Sequence, residues 1–539
     1  MIWIKRIIFG CVLIFLSSFY LQKKFHLVLV KPLDGIKDLP QKPKLSIPGV
    51  FSGGFQDSMN LYLNDNMGFR PWLVRLSNEI KFRGFDLTNA PGVVMGKGGQ
   101  LFIESYINNF VGTNFVGKNK ADEIVRKIKR VQDSLKVNNI DLIIVFAPGK
   151  ASYYPECIPD KYTLKKRDTT NYNYYSTQFV MNGVNFIDFN KYFGKYKYDL
   201  QYPMYPEYGT HWTSYGSALA MDSIIRYIEK KRAINLPWFD YSDVEMRDSL
   251  EEREYDIGIL LNLFRQIPHE PMPYIKYKYG SNASVTKPDV LAIGDSYWWC
   301  MVSNDISSNV FKQDEYWFYN KDIYKRNVKQ EKGVPGINFG DETINRDVII
   351  LMATEATFDL FPYGFIDKAY NIYCLSNDEK RELIEENINN DPNWKKDIVN
   401  KAKQNKIGEK EQLERDIDFV FKTDYCPVRE TKIALGAVLK EYEDKIRQNA
   451  EWLEQIKKKA SEKGIIIQEQ IQEDARYTYD MEYGSAEVKR ALRDIRCRIR
   501  NTKEWWVQIQ KKAAEKKINA EEMLELDVKF VFDTERNRK

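Results

Sequence analysis

The stretch Asp141-Leu142-Ile143-Ile144-Val145-Phe146-Ala147 is apolar at every position after its aspartate, with no alternation for water to meet on one face. Such a strand has to be covered on both sides. Further short runs follow at Val184-Asn185-Phe186-Ile187-Asp188-Phe189, at Pro288-Asp289-Val290-Leu291-Ala292-Ile293 and at Asp347-Val348-Ile349-Ile350-Leu351-Met352. Amphipathic segments at about 121–136 and 214–230 read as helices between them. Buried strands alternating with helices predict an α/β fold built on a mainly parallel sheet. Ahead of this core, residues 61–78 read as helix, turn and helix, and Val93 to Phe102 as a hairpin turning on its glycines.

The third run ends in Gly294-Asp295-Ser296-Tyr297, where glycine permits a sharp turn and the serine is left exposed at the carboxyl end of a strand. Amides after such a turn suit an oxyanion hole, so Gly294 and Tyr297 are candidates for the turn and the hole. Serine needs a base to attack at neutral pH. Of three histidines, His26 adjoins the N-terminal apolar segment and His269 lies in Pro268-His269-Glu270-Pro271. His211, in Tyr208-Gly209-Thr210-His211-Trp212, is the remaining base.

The chain opens with Lys5 and Arg6 ahead of an apolar run to Leu21, which reads as an uncleaved signal anchor. The basic start stays cytoplasmic, so the bulk lies across the inner membrane in the periplasm. Residues 1–24 are assigned to the anchor and 25–50 to a proline- and lysine-rich linker. The six cysteines are scattered without Cys-x-x-Cys spacing, so neither zinc nor a dense disulfide framework is indicated. Gly96-Lys97-Gly98-Gly99 lacks the spacing of a phosphate loop. No metal or cofactor is expected. A net charge of +5 over 539 residues, without a basic block, gives no support to nucleic-acid binding.

After about Ser376 the composition turns to charged helix. Trp394, Trp452 and Trp505 are each followed at the same offset by Ala402, Ala460 and Ala513, and the match runs on to Asp416, Asp474 and Asp527. Three copies predict a stack of helical hairpins over 378–539, a surface on which a protein partner could dock.

Across Phe51 to Asn377 the chain resembles the SGNH-hydrolase-like domain of the alginate O-acetyltransferase family, the AlgJ and AlgX type. The matching pieces are Asp65-Asn66-Met67-Gly68-Phe69-Arg70, the glycine hairpin to Phe102, Pro148-Gly149-Lys150, Thr210-His211-Trp212 and Gly294-Asp295-Ser296-Tyr297, with histidine before serine as in that family. The resemblance implies a tethered enzyme that takes an acetyl group from a membrane-bound O-acyltransferase onto Ser296 and passes it to a polysaccharide hydroxyl, with His211 as base. The family pattern is Asp-x-His, whereas this chain has Gly209 where the aspartate belongs. Glu207, Asp295 and Glu355 are the acids available to replace it. Trp212 and Trp298, with Lys150 after the first strand, are the candidates for substrate contact. Two alternatives share these residues: an esterase that removes such groups, and a non-catalytic carbohydrate-binding scaffold of an export complex.

Overall fold

The structure, a computed structural model, describes residues 2–35, 39–164, 167–280, 285–428 and 435–536. Residues 36–38 of the expected linker lie outside the described residues. Seven strands make the central sheet: β1 (Asp141–Ala147), β2 (Phe186–Asp188), β3 (Val290–Gly294), β4 (Glu315–Phe318), β5 (Asp322–Lys325), β6 (Val328–Lys329) and β7 (Val348–Thr354). Their order is β6-β5-β4-β3-β7-β1-β2. The five from β4 to β2 are parallel, and β5 and β6 fold back antiparallel at the edge. In the centre β7 pairs with β1 along its whole length, from Val348 opposite Asp141 to Thr354 opposite Ala147.

The alternation of strand side chains sorts these apolar runs onto two faces. Leu142, Ile144, Phe146, Ile293 and Leu351 pack under helices Lys118–Val137, Asn171–Asn182 and Phe365–Tyr373. Ile143, Val145, Ala292, Ile350 and Met352 pack on the other side against helix Ser214–Arg232. β2 is shorter than its apolar run. Asn185 spends its amides on Gln132 and on the carbonyl of Leu142, and Asp188 caps a helix that begins at Phe189.

The N-terminal helix Ile2–Phe25 is long and apolar enough to cross a membrane. The stretch after it is no loose tether where the structure describes it. Arg75 donates to the carbonyls of Lys31 and Pro32 at 2.7 and 2.6 Å, and Asn262 bonds the amide and the carbonyl of Asp34.

Among the described residues, nine helices follow Ser376 in three groups of three. The repeating unit is therefore a helical triplet, where the sequence suggested a hairpin. The first and second helices of each group are parted by one extended residue, Asp391, Asn449 or Thr502, with ψ of 106, 104 and 106°. A one-residue break leaves little trace in a pattern of offsets. The recurrent aspartates explain themselves in three matching ion pairs, Lys401–Asp416 at 2.8 Å, Lys459–Asp474 at 2.7 Å and Lys512–Asp527 at 2.7 Å. A disulfide joins Cys426, after the first group, to Cys497 in the third. The whole is seated on the α/β domain through Asn338 to the carbonyl of Thr423, Asn345 to that of Val428, and an ion pair of Arg493 with Asp341.

Candidate active site

The carboxyl ends of β3, β7 and β1 converge, and the turn after β3 is built on glycine for close approach. A Cβ on Gly294 would stand 2.9 Å from the carbonyl oxygen of Met352 in β7. Asp295 then locks the two strand ends together. One of its oxygens accepts from Thr354 N, Thr354 Oγ1 and Thr357 Oγ1 at 2.7, 2.7 and 2.8 Å, and the other from Tyr297 N at 3.1 Å. Ser296 begins the short turn that follows and stays partly exposed. Its own amide bonds to no protein group among the described residues, as befits the first N–H of a helical turn, and it is free to donate to an oxyanion.

His211 reaches this serine from the loop before helix Ser214–Arg232, with Nε2 2.9 Å from Ser296 Oγ. Its Nδ1 lies 2.9 Å from Oδ2 of Asp256, the carboxylate standing to the side of the ring N–H rather than in line with it. The other oxygen of Asp256 accepts from Thr210 N at 2.7 Å. Asp256 opens the short helix Asp256–Leu260, whose amides at Ile257 and Gly258 donate to the carbonyl of Tyr208, so the acid and the histidine loop are pinned to each other. Beneath the loop, Lys150 is buried. Its ammonium nitrogen donates to the carbonyls of Glu207 at 2.6 Å and Gly209 at 3.2 Å. Burial pushes the pKa of this lysine down to about 7. From the serine side, the hydroxyl of Tyr297 donates to the carbonyl of Thr210 at 2.7 Å.

Ser296 and His211 thus lie within hydrogen-bond distance of each other, and the carboxylate beside His211 Nδ1 belongs to Asp256 and to none of Glu207, Asp295 and Glu355. Asp295 is saturated by four donors and braces the turn. Glu355 is buried beside Gly149, where it accepts from the Ser152 hydroxyl, and burial holds its carboxyl up at about 7. Glu207 contributes its carbonyl, to Lys150 and to Leu101 N. The substrate-contact candidates also change role. Trp212 and Trp298 are 1% and 2% exposed and belong to the core, and Lys150 at 1% holds a loop instead of facing solvent. Tyr297 has its amide taken by Asp295, so it braces the site and supplies no oxyanion N–H. Asp256, 45 positions after the histidine, had no motif to mark it; the one hint was the acid missing at Gly209. Among the described residues, no group of three or more His, Cys, Asp or Glu side chains could hold a metal ion.

A buried brace, a serine at a strand end and an imidazole standing between that serine and a carboxylate lie open to solvent on one side, with His211 18% and Asp256 27% exposed. Such an arrangement can transfer an acyl group through the serine. Residues 93–292 match the family model described as the SGNH hydrolase-like domain of acetyltransferase AlgX. Comparison of sequences with curated proteins found no match. Among solved structures, the O-acetyltransferase domain of Pseudomonas putida AlgJ is 17% identical, with 52% of this chain and 99% of that one covered and a TM-score of 0.32. Pseudomonas aeruginosa AlgX is 13% identical over 51% of this chain and 66% of its own, with a TM-score of 0.34. Bacillus cereus PatB1 is 13% identical over 44% and 90%, with a TM-score of 0.29. Over residues 93–292, the chain is thus similar to the SGNH hydrolase-like domain of acetyltransferase AlgX.

Proposed function

We propose that this protein is a membrane-anchored O-acetyltransferase that moves an acetyl group through Ser296 onto a hydroxyl of an exported polysaccharide. The observation that carries the reading is the chain of contacts from Asp256 through His211 to Ser296, each at 2.9 Å. It supports a working nucleophile despite Gly209. His211 Nε2 takes the serine proton as Oγ attacks the acetyl carbonyl, and returns a proton to the departing oxygen of the donor. The acetyl-serine then gives its acyl group to a sugar hydroxyl, whose proton passes to Nε2, and Ser296 is regenerated. Asp256, 2.9 Å from Nδ1, electrostatically favours the proton on that nitrogen and balances the charge that forms on the ring. The Ser296 amide, which has no protein acceptor among the described residues, donates in this reading to the oxygen that becomes negative in each tetrahedral intermediate.

The helix Ile2–Phe25 supports a single-pass inner-membrane anchor with the domain on the periplasmic side, beside a membrane-bound O-acyltransferase as acetyl source. The helical triplets are the surface we assign to a protein partner. The non-catalytic scaffold reading rests on the missing family aspartate, and the carboxylate of Asp256 beside His211 favours the catalytic reading over it. An esterase would use the same three residues with water as acceptor.

The test is the intact mass of the protein after brief exposure to p-nitrophenyl acetate, alone and with candidate polysaccharides. A gain of one acetyl group in the wild type, absent in Ser296→Ala and discharged faster by a polysaccharide than by water, is the expected result. No adduct and no turnover would overturn the enzymatic reading, and discharge by water alone would leave an esterase.

A further inference from the structure

Helix Arg70–Phe85 presents an apolar stripe to the outside. Leu73, Leu76 and Ile80, three and four residues apart, are 37, 49 and 55% exposed, and Trp72 beside them is 41% exposed. Its opposite side is fastened inward by Arg75 and by Asn78, whose side chain donates to the carbonyl of Leu261 at 2.8 Å. A contiguous exposed stripe of this kind marks a surface that meets something apolar.

What it meets follows from where the stripe begins. Phe69, at the head of the helix, lies edge-on to Phe19 of the N-terminal helix with ring centroids 6.2 Å apart, and its ring is 5.3 Å from Trp72. Gly68 backs onto the same turn so closely that a Cβ would stand 2.8 Å from the amide of Lys23. Lys23 also donates to Asn66 at 3.0 Å. Phe19 sits inside the apolar run, four residues before Lys23 and so about 6 Å deeper along the helix axis. Lys23 and Lys24 belong at the level of lipid headgroups, with their stems along the hydrocarbon. The contact with Phe19 then carries Phe69 and Trp72 to the depth where headgroups give way to acyl chains, the depth at which aromatic residues anchor membrane proteins.

We propose that helix Arg70–Phe85 lies flat on the outer face of the same membrane, with Trp72, Leu73, Leu76 and Ile80 seated at the boundary of headgroups and acyl chains. This rests on the reading of Ile2–Phe25 as a membrane span. The consequence reaches the active site, because Asn78 holds the residue directly after helix Asp256–Leu260, the element that supplies the acid to His211. The bilayer surface then sets the orientation of the site as well as its distance from an acetyl donor in the membrane.

The experiment uses the full chain in vesicles of phosphatidylethanolamine and phosphatidylglycerol, with the free cysteines Cys11, Cys157, Cys300 and Cys374 changed to alanine. Single variants Leu13→Cys, Leu76→Cys, Ile80→Cys and Val137→Cys carry an environment-sensitive dye, Val137 being 88% exposed on the α/β domain. Lipids brominated on the acyl chain should quench the dye at 13, 76 and 80 and leave 137 bright, without any other protein present. Quenching at 13, with 76 and 80 as bright as 137, would overturn the proposal and keep the anchor. Failure to quench at 13 as well would overturn the anchor reading, and the proposal with it.

Discussion

Gly209 has no room for a side chain, because a Cβ there would stand 2.7 Å from the carbonyl oxygen of Glu254. The family resemblance calls for an aspartate at that position, and the backbone that fills its place is the segment that delivers Asp256 two residues later. A carboxylate still faces Nδ1 of His211, but it arrives from a different stretch of chain. Asp256→Asn should lower the rate of Ser296 acetylation about 10⁴-fold, the cost of losing the acid that fixes the imidazole tautomer. Release of p-nitrophenol in the first turnover reads it directly. Gly209→Asp placed on Asp256→Ala should give no recovery and less folded protein, since the added side chain meets Glu254. An unimpaired Asp256→Asn would remove Asp256 from the mechanism.

Lys150 touches neither serine nor histidine, yet it holds the two carbonyls that bracket Tyr208 in the histidine loop. Lys150→Met keeps most of its buried volume and removes both bonds. Loosening His211 by about 1 Å should slow acetylation about a hundredfold. Circular dichroism should be unchanged and KM for the small ester little affected. A loss confined to KM would show instead that Lys150 meets the substrate.

The sheet was legible because β1, β3 and β7 are buried on both faces and so carry uninterrupted apolar runs, and the serine was legible because Gly294 and Ser296 stand at the end of one of them. Asp256 was not, since a carboxylate brought to the histidine from 45 residues away leaves no spacing to find. Trp212 and Trp298 misled for a related reason: their neighbours in sequence line the site, while their own rings turn into the core. Glu355 follows directly on β7, near the carboxyl ends of the strands, but turns toward Ser152. The helical triplets were half legible, as identical offsets betray a repeat but a single extended residue between two helices does not.

Glu355 makes stability depend on pH in a defined direction. Burial raises its carboxyl from 4.5 to about 7 in the folded protein, so between these values the folded state holds a proton that the unfolded chain has released. Its contribution is fully present below about pH 4.5 and is lost as pH rises through 7. A shift of this size corresponds to something on the order of 3 kcal/mol. Glu254, also buried and raised to about 7, acts in the same sense. Urea unfolding of the wild type should therefore show stability falling from pH 5 to pH 8, and Glu355→Gln should flatten that slope. An equal slope in the variant would show that Glu355 is ionised in the fold.

The disulfide between Cys426 and Cys497 closes a loop of 71 positions that contains the entire second helical triplet. Chain-entropy loss in the unfolded state for a loop of that length is worth about 4 kcal/mol. The link is also placed where it matters, because Arg493, four residues before Cys497, makes the ion pair that seats the triplets on Asp341. Cys426→Ala, or mild reduction, should therefore speed hydrogen exchange in helix Ala486–Asn501 and lower the unfolding midpoint of the C-terminal region. The sheet carries Ser296, His211 and Asp256 on its own connections, so turnover of p-nitrophenyl acetate should hold at the wild-type rate. Loss of that activity in parallel with the helices would mean that the triplets support the active site itself, through the segment Phe339–Ile344 that leads into β7.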